Sequence, residues 1–120
     1  MLQPRLLEKG DRIAIVAPAG KIAINSLDRA IEILKSWELE VVMGSNVFGS
    51  HGYFSGTDDE RLADLNNALA DPTIAAILFA RGGYGTTRIL DMIDITRLKI
   101  YPKWLIGFSD LTALHLKLLN

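Results

Sequence analysis

Cysteine is absent from this 120-residue chain, which excludes disulfides and thiolate chemistry and leaves the compartment open on that criterion. A dominant charge is missing too. Thirteen basic side chains face 14 acidic ones, and neither sign clusters into the long runs of a nucleic-acid-binding arm or a membrane-surface patch, so neither is expected. No apolar stretch approaches the roughly 20 residues of a membrane span, and the opening "MLQPRLLEKGDR" carries charges and a proline where a secretory signal needs an apolar core. Internal repeats and low-complexity tracts are also lacking. Together these absences predict a soluble, cytoplasmic protein. What is plentiful is apolar side chain, 49% of residues. That suffices for one small domain with its own core and leaves no room for a second complete one.

The apolar residues fall in alternating patterns. "RIAIVAPAG" is a β-branched run after a Gly10-Asp11 turn, closed by Pro18 and Gly20, as in a strand buried on both faces. "SLDRAIEILKSW" sets Leu27, Ala30, Ile31 and Leu34 at helical spacing, with Ser26 or Asn25 as its N-cap. "ELEVVMG" reads as a second strand, and Asn46 to Gly56, glycine-rich and aromatic, as a long surface loop. Thr57 with Glu60 forms a capping box for a helix striped by Leu62, Leu65 and Leu69 and ended at Asp71-Pro72. A third strand, "TIAAILFA", breaks at "RGGYG". A short helix "TTRILDMI", a connector with Pro102, the strand "KWLIGF" and a last helix "DLTALHLKLL" follow. Strands alternating with helices imply right-handed crossovers and an open, doubly wound, mainly parallel α/β sheet. About four strands are expected, with helices on both faces, in the flavodoxin-like or class I glutamine amidotransferase-like manner.

Ligands of such sheets gather beyond the carboxyl ends of the strands. Three unusual turns fall there: Ala17-Pro18-Ala19-Gly20, Arg81-Gly82-Gly83-Tyr84-Gly85 and Gly107-Phe108-Ser109-Asp110. A serine on a sharp strand-to-helix turn can act as a nucleophile, with the Asp110 amide holding the oxyanion. The same serine can equally be a plain N-cap, with Asp110 favoured by the helix dipole. Leu111 stands where the elbow of α/β-hydrolases has glycine, so that fold is not matched. Gly82 and Gly83 let backbone amides approach an anion or oxyanion, and Arg81 can pair with a carboxylate. A tight turn with a surface arginine is the bland alternative. Gly82-Gly83-x-Gly85 lacks the register of a dinucleotide fingerprint, so a nucleotide site is disfavoured.

A nucleophilic serine needs a base. His115 lies six residues along the helix that starts at Ser109, rotated off the serine's face, and nothing in the pattern requires His51 to reach it. Asp58, Asp59 and Glu60 fit a solvated, dipole-favoured first helical turn better than a metal site. Trp37 is expected to pack at a helix end and Trp104 in or beside the last strand.

Three stretches, "GDRIAIVAPAG", "GTDDERLADLNNALADPTIAAILFARGGYGTTRILDMID" and "PKWLIGFSDLTALH", resemble, in order and over nearly the whole chain, the amino-terminal half of the L,D-carboxypeptidases. These are the serine peptidases that include muramoyltetrapeptide carboxypeptidase and the microcin C immunity peptidase. Phe108 stands where a tyrosine is frequent in the family. The resemblance implies that Ser109 is the nucleophile, that the amides of Asp110 and Gly83 form the oxyanion hole, and that Gly82, Arg81 and Tyr84 line the substrate. It implies no metal and no organic cofactor. Its substrate is a peptide with a terminal D-amino acid, such as a murein tetrapeptide losing D-alanine during recycling, or, in immunity-type relatives, a peptidyl nucleotide. The family's glutamate and histidine come from a carboxyl-terminal domain. Residues 1–120 are then the nucleophile-bearing domain, inactive alone, with that further domain and a second copy of the protein as its expected partners. A non-catalytic binding or interaction module on the same fold is the competing class. Without the further domain, Val47, Phe48, Tyr53, Phe54 and Tyr84 would leave an apolar patch that favours self-association.

Overall fold

A computed structural model describes residues 4–18, 22–23, 25–49, 55–80 and 89–107 of the chain. Strand β1 spans Arg12–Val16, helix α1 Asp28–Ser36, β2 Glu40–Met43, α2 Asp58–Ala70, β3 Ile74–Phe79 and β4 Trp104–Ile106. Two short 3₁₀ helices, Leu90–Met92 and Thr96–Lys99, occupy the connection before β4. The first is the described end of the expected "TTRILDMI" helix, and the second was not foreseen. All strand pairs are parallel, in the order β2-β1-β3-β4. The expected doubly wound α/β sheet is thus present.

β1 lies inside the sheet, and its alternation divides the core in two. Ala14 and Val16 face α2, joining Leu65, Leu69, Ile77 and Phe79. Ile13, Ile15 and Ala17 face the other way, onto Leu27 and Leu34 of the α1 region. A strand covered on both faces has no polar side to show, which is why "IAIVA" is an unbroken apolar run. Leu65 and Leu69 are fully buried, each contributing about 1.5–3 kcal/mol by leaving water.

The capping box of α2 forms as its spacing predicts. The Glu60 amide donates to Thr57 Oγ1 at 3.2 Å and the Thr57 amide to Glu60 Oε1 at 3.0 Å. The start of α1 differs from expectation. Its N-cap is Leu27, without a side-chain cap, and Ser26 Oγ donates instead to the Ala23 carbonyl at 2.7 Å, closing the preceding turn. At its other end the Glu38 amide reaches the Lys35 carbonyl (2.9 Å) and the Leu39 amide the Leu34 carbonyl (3.2 Å). This is a Schellman closure with Glu38 in the left-handed region usually given to glycine, and with buried Leu34 and Leu39 completing it. Trp37 stays 62% exposed rather than packing at that helix end. Trp104 does sit in β4, where its indole N–H donates to the Arg5 carbonyl at 2.8 Å.

Candidate active site

The path of the chain sets where a site can form. From β1 the chain crosses to β2 on one side, then returns past β1 to β3 on the other. Crossovers diverge at this point, the place where open parallel sheets commonly bind their ligands.

Backbone accounting shows how that edge is built. Four consecutive carbonyls at the exit of β1 each accept a hydrogen bond from a different source. Ile15 accepts from the Gly44 amide and Val16 from the Ala80 amide, both at 2.8 Å. Ala17 accepts from Ser55 Oγ at 2.5 Å, and Pro18 from Arg61 Nη1 at 2.6 Å. Buried carbonyls need such partners. Here they tie the ends of β2 and β3, the segment before α2 and α2 itself to one turn.

Arg61 is the largest contributor. It is 1% exposed, and besides Pro18 its guanidinium donates to the Gly56 carbonyl (Nε, 3.2 Å) and to the Asp58 carboxylate (Nη2). The acidic first turn of α2 is therefore more than solvated. Asp58 neutralises a buried cation, Glu60 closes the capping box, and the helix N-terminus favours both charges. Three residues further, the buried Asp64 accepts from the Asn46 amide (2.8 Å) and from Asn46 Nδ2 (3.2 Å). It thereby folds the segment after β2 against α2. Gly44 makes this approach fit, since a Cβ there would lie 2.8 Å from Asp64 Oδ2 and 3.2 Å from the Ile15 carbonyl. A cleft of about 140 Å³ lies alongside, lined by Val42, Gly44, Asp64, Asn67 and Asp71 among others.

The stretch from Asn46 to Gly56, expected as a surface loop, is anchored at both described ends. Val47 is 1% exposed in the α1-side core, and Ser55 and Gly56 are buried. Val47 therefore leaves the proposed apolar patch, because the turn at Gly44–Asn46 directs it inward, whereas Phe48 remains 39% exposed.

Charges gather at the opposite edge. Lys103 Nζ donates to the carbonyls of Asp71 (2.5 Å) and Ile74 (2.7 Å), and burial pushes its pKa down. Asp71 is held below the usual carboxylate range, chiefly by the Thr73 hydroxyl and amide. Asp11 is lowered chiefly by the Arg5 guanidinium, at 2.7 Å, and then by the Glu8 amide. Among the described residues no three His, Cys, Asp or Glu side chains are grouped to hold a metal, and no helix is long and apolar enough to cross a membrane.

Ser109, Asp110, Arg81, Gly82, Gly83 and Tyr84, as well as His51, Tyr53, Phe54 and His115, lie outside the described residues, as does the expected last helix. Their approaches are described. β3 leads through Ala80 towards the diglycine turn and β4 through Gly107 towards Ser109; the two strands are parallel neighbours, with Leu78 opposite Ile106. Arg61, Asp64, Ser55 and Asn46 were not singled out from the sequence. The signal was there: Arg61, Asp64, Leu65, Ala68 and Leu69 sit at i, i+3, i+4, i+7 and i+8, a buried stripe beginning with an arginine.

Comparison with known proteins decides the family. The profile of the LD-carboxypeptidase N-terminal domain matches residues 13–120. The chain belongs to this family. The LD-carboxypeptidase domain is 42% identical over 113 residues to a probable murein peptide carboxypeptidase of Bacillus subtilis, covering 94% of this chain and 35% of that protein. A crystal structure of muramoyltetrapeptide carboxypeptidase from Oxalobacter formigenes superposes with a TM-score of 0.79 at 36% identity, over 90% of this chain and 36% of that one. The microcin self-immunity protein MccF, in complex with aspartyl sulfamoyl adenosine, superposes with a TM-score of 0.88 at 29% identity, over 95% and 35% of the two chains. The LD-carboxypeptidase domain thus spans between a third and two fifths of the curated relatives it matches.

Proposed function

We propose that residues 1–120 form the amino-terminal, nucleophile-bearing domain of a serine L,D-carboxypeptidase that releases a terminal D-amino acid from a cytoplasmic murein tetrapeptide. The observation that carries this reading is topological. The strands leading to Arg81-Gly82-Gly83-Tyr84 and to Ser109-Asp110 are parallel neighbours, and β3 borders the point where the crossovers diverge, in a chain that belongs to the LD-carboxypeptidase family.

Ser109 Oγ attacks the carbonyl carbon before the D-residue while a base takes its proton, and the amides of Asp110 and Gly83 hold the resulting oxyanion. Collapse of this intermediate releases the D-amino acid, and water then frees the acyl group from Ser109. Arg81 pairs with the substrate's terminal carboxylate, and Gly82 and Tyr84 border it. The base and its orienting carboxylate belong to the part of the family's proteins that these residues do not span, so the chain alone should turn over essentially nothing. A homodimer is the expected assembly of the whole protein.

The test uses the full-length protein. Release of D-alanine from an L,D-tetrapeptide and labelling of Ser109 by a fluorophosphonate probe should both be lost in Ser109→Ala, the turnover by about 10³-fold or more. An intact fold without labelling or turnover would favour a binding module. The likeness to the MccF complex supports a second reading, cleavage of a peptidyl nucleotide. Assaying both substrate classes side by side separates the two.

A further inference from the structure

We infer that Arg61 is a positioning residue for the oxyanion hole, acting through the turn that follows β1; this rests on the reading of Gly83 and Ser109 given above. Arg61 does not stand on any predicted catalytic turn. Among the described residues its guanidinium bridges acceptors on two segments, the Pro18 carbonyl on one side and Gly56 with Asp58 on the other. Ser55 Oγ holds the adjacent Ala17 carbonyl at 2.5 Å. Two neighbouring carbonyls are thereby fixed by side chains that flank the start of α2.

One residue earlier, the Val16 carbonyl accepts the Ala80 amide at 2.8 Å. Ala80 immediately precedes Arg81-Gly82-Gly83. The order of dependence is therefore short: Arg61 and Ser55 set the exit of β1, the exit of β1 sets Ala80, and Ala80 is the residue from which the diglycine turn departs. An oxyanion donor works only if it is already placed within a fraction of an ångström of where the charge develops. A planar guanidinium that spends its donors on backbone carbonyls is suited to fixing such a turn, because its fork geometry leaves little freedom once two acceptors are engaged. Lysine, a single point of charge on a flexible stem, would keep the cation beside Asp58 without spanning both segments.

The experiment compares full-length wild type with Arg61→Lys and Ser55→Ala. It reads kcat and KM for D-alanine release, normalised to Ser109 titrated by fluorophosphonate, together with the labelling rate and the melting temperature. In Arg61→Lys, kcat and the labelling rate should fall about 10- to 100-fold, the scale of an ångström-sized misplacement, with KM within about twofold and the protein still folded. Ser55→Ala should shift the same two quantities in the same direction by a smaller factor, and it carries the test if Arg61→Lys does not fold. Folded variants with wild-type kcat and labelling, or with KM alone raised, would overturn the positioning role. Labelling needs no natural substrate, so a wild type that labels but releases no D-alanine contradicts the substrate reading only, and the labelling rates of the variants still decide the role of Arg61. A wild type that does not label overturns both.

Discussion

The two ends of the sheet are held by different means. At the amino-terminal edge most side-chain contacts pair charged or polar groups near solvent, Arg5 with Asp11, Arg12 with Glu40 and Asp71, and Asp71 with Thr73, and the buried Lys103, which donates to the Asp71 and Ile74 carbonyls, is the exception. At the carboxyl-terminal edge they run to four consecutive backbone carbonyls, two of them held by the buried side chains of Ser55 and Arg61. Surface ion pairs of the first kind contribute little and are screened by salt. Buried donors of the second kind fix position, because losing one leaves a carbonyl without a partner. The edge towards which the strands leading to Arg81 and Ser109 run is the one where four consecutive carbonyls are engaged.

Substitutions should expose this contrast. Beyond the tests of Ser109 and Arg61, Gly44→Ala is expected to have the largest effect on folding. Its Cβ would press on Asp64 and the Ile15 carbonyl, for a loss of about 1–3 kcal/mol by overpacking, measured by urea unfolding. Thr57→Ala, which removes half of the capping box, should cost about 1 kcal/mol. The smallest effects belong to the other edge. Asp11→Asn should change the unfolding midpoint less than Thr57→Ala does, and the change should shrink further in 0.5 M salt, because that pair is exposed and screened. A larger loss in Asp11→Asn than in Gly44→Ala would reverse the comparison.

Titration offers a further check on the charged edge. Asp71 and Asp11 have pKa values lowered by folding, chiefly by Thr73 and by Arg5. Their stabilisation is complete above the unfolded carboxylate pKa of about 4 and is lost as the pH falls through the lowered folded-state values. Asp71→Asn should flatten the acid limb of the stability curve by lowering its neutral plateau, with little change at the acid end. Lys103, lowered by burial, works in the alkaline window. Its charged form is disfavoured in the fold, so its contribution improves as the pH rises from its folded-state value to the ordinary value of about 10.4.

How much of this was legible in the sequence depends on what each feature needs. Apolar runs and a capping box are local, and β1, β3 and the start of α2 followed directly from them. The N-cap of α1 did not, because Ser26 had a competing acceptor in the Ala23 carbonyl, and only the folded turn decides between the two. Trp37 looked like a packing residue by type, yet the Schellman closure sends the chain inward through Leu39 and leaves the indole outside. Arg61 and Asp64 were the harder case. Charged residues on a helix are read as solvent-facing, and what reverses that reading is the partners brought from far in sequence, the Pro18 carbonyl for Arg61 and the Asn46 donors for Asp64, 43 and 18 residues away. Sequence pattern alone carried the family resemblance and the three turns at one edge, whereas the framework beneath those turns required the fold.

The placement of β1 between β2 and β3 also has a consequence in time. As the polypeptide emerges from synthesis, β1 and β2 can pair through α1 well before β3 exists, since β3 ends only at Phe79. At about 5–20 residues per second, the stretch from Met43 to Phe79 takes roughly two to seven seconds to appear. During that interval β1 offers an open, apolar edge, the kind of surface on which nascent chains misassociate. The strand whose exit carries four engaged carbonyls is therefore exposed along one edge while the protein is being made.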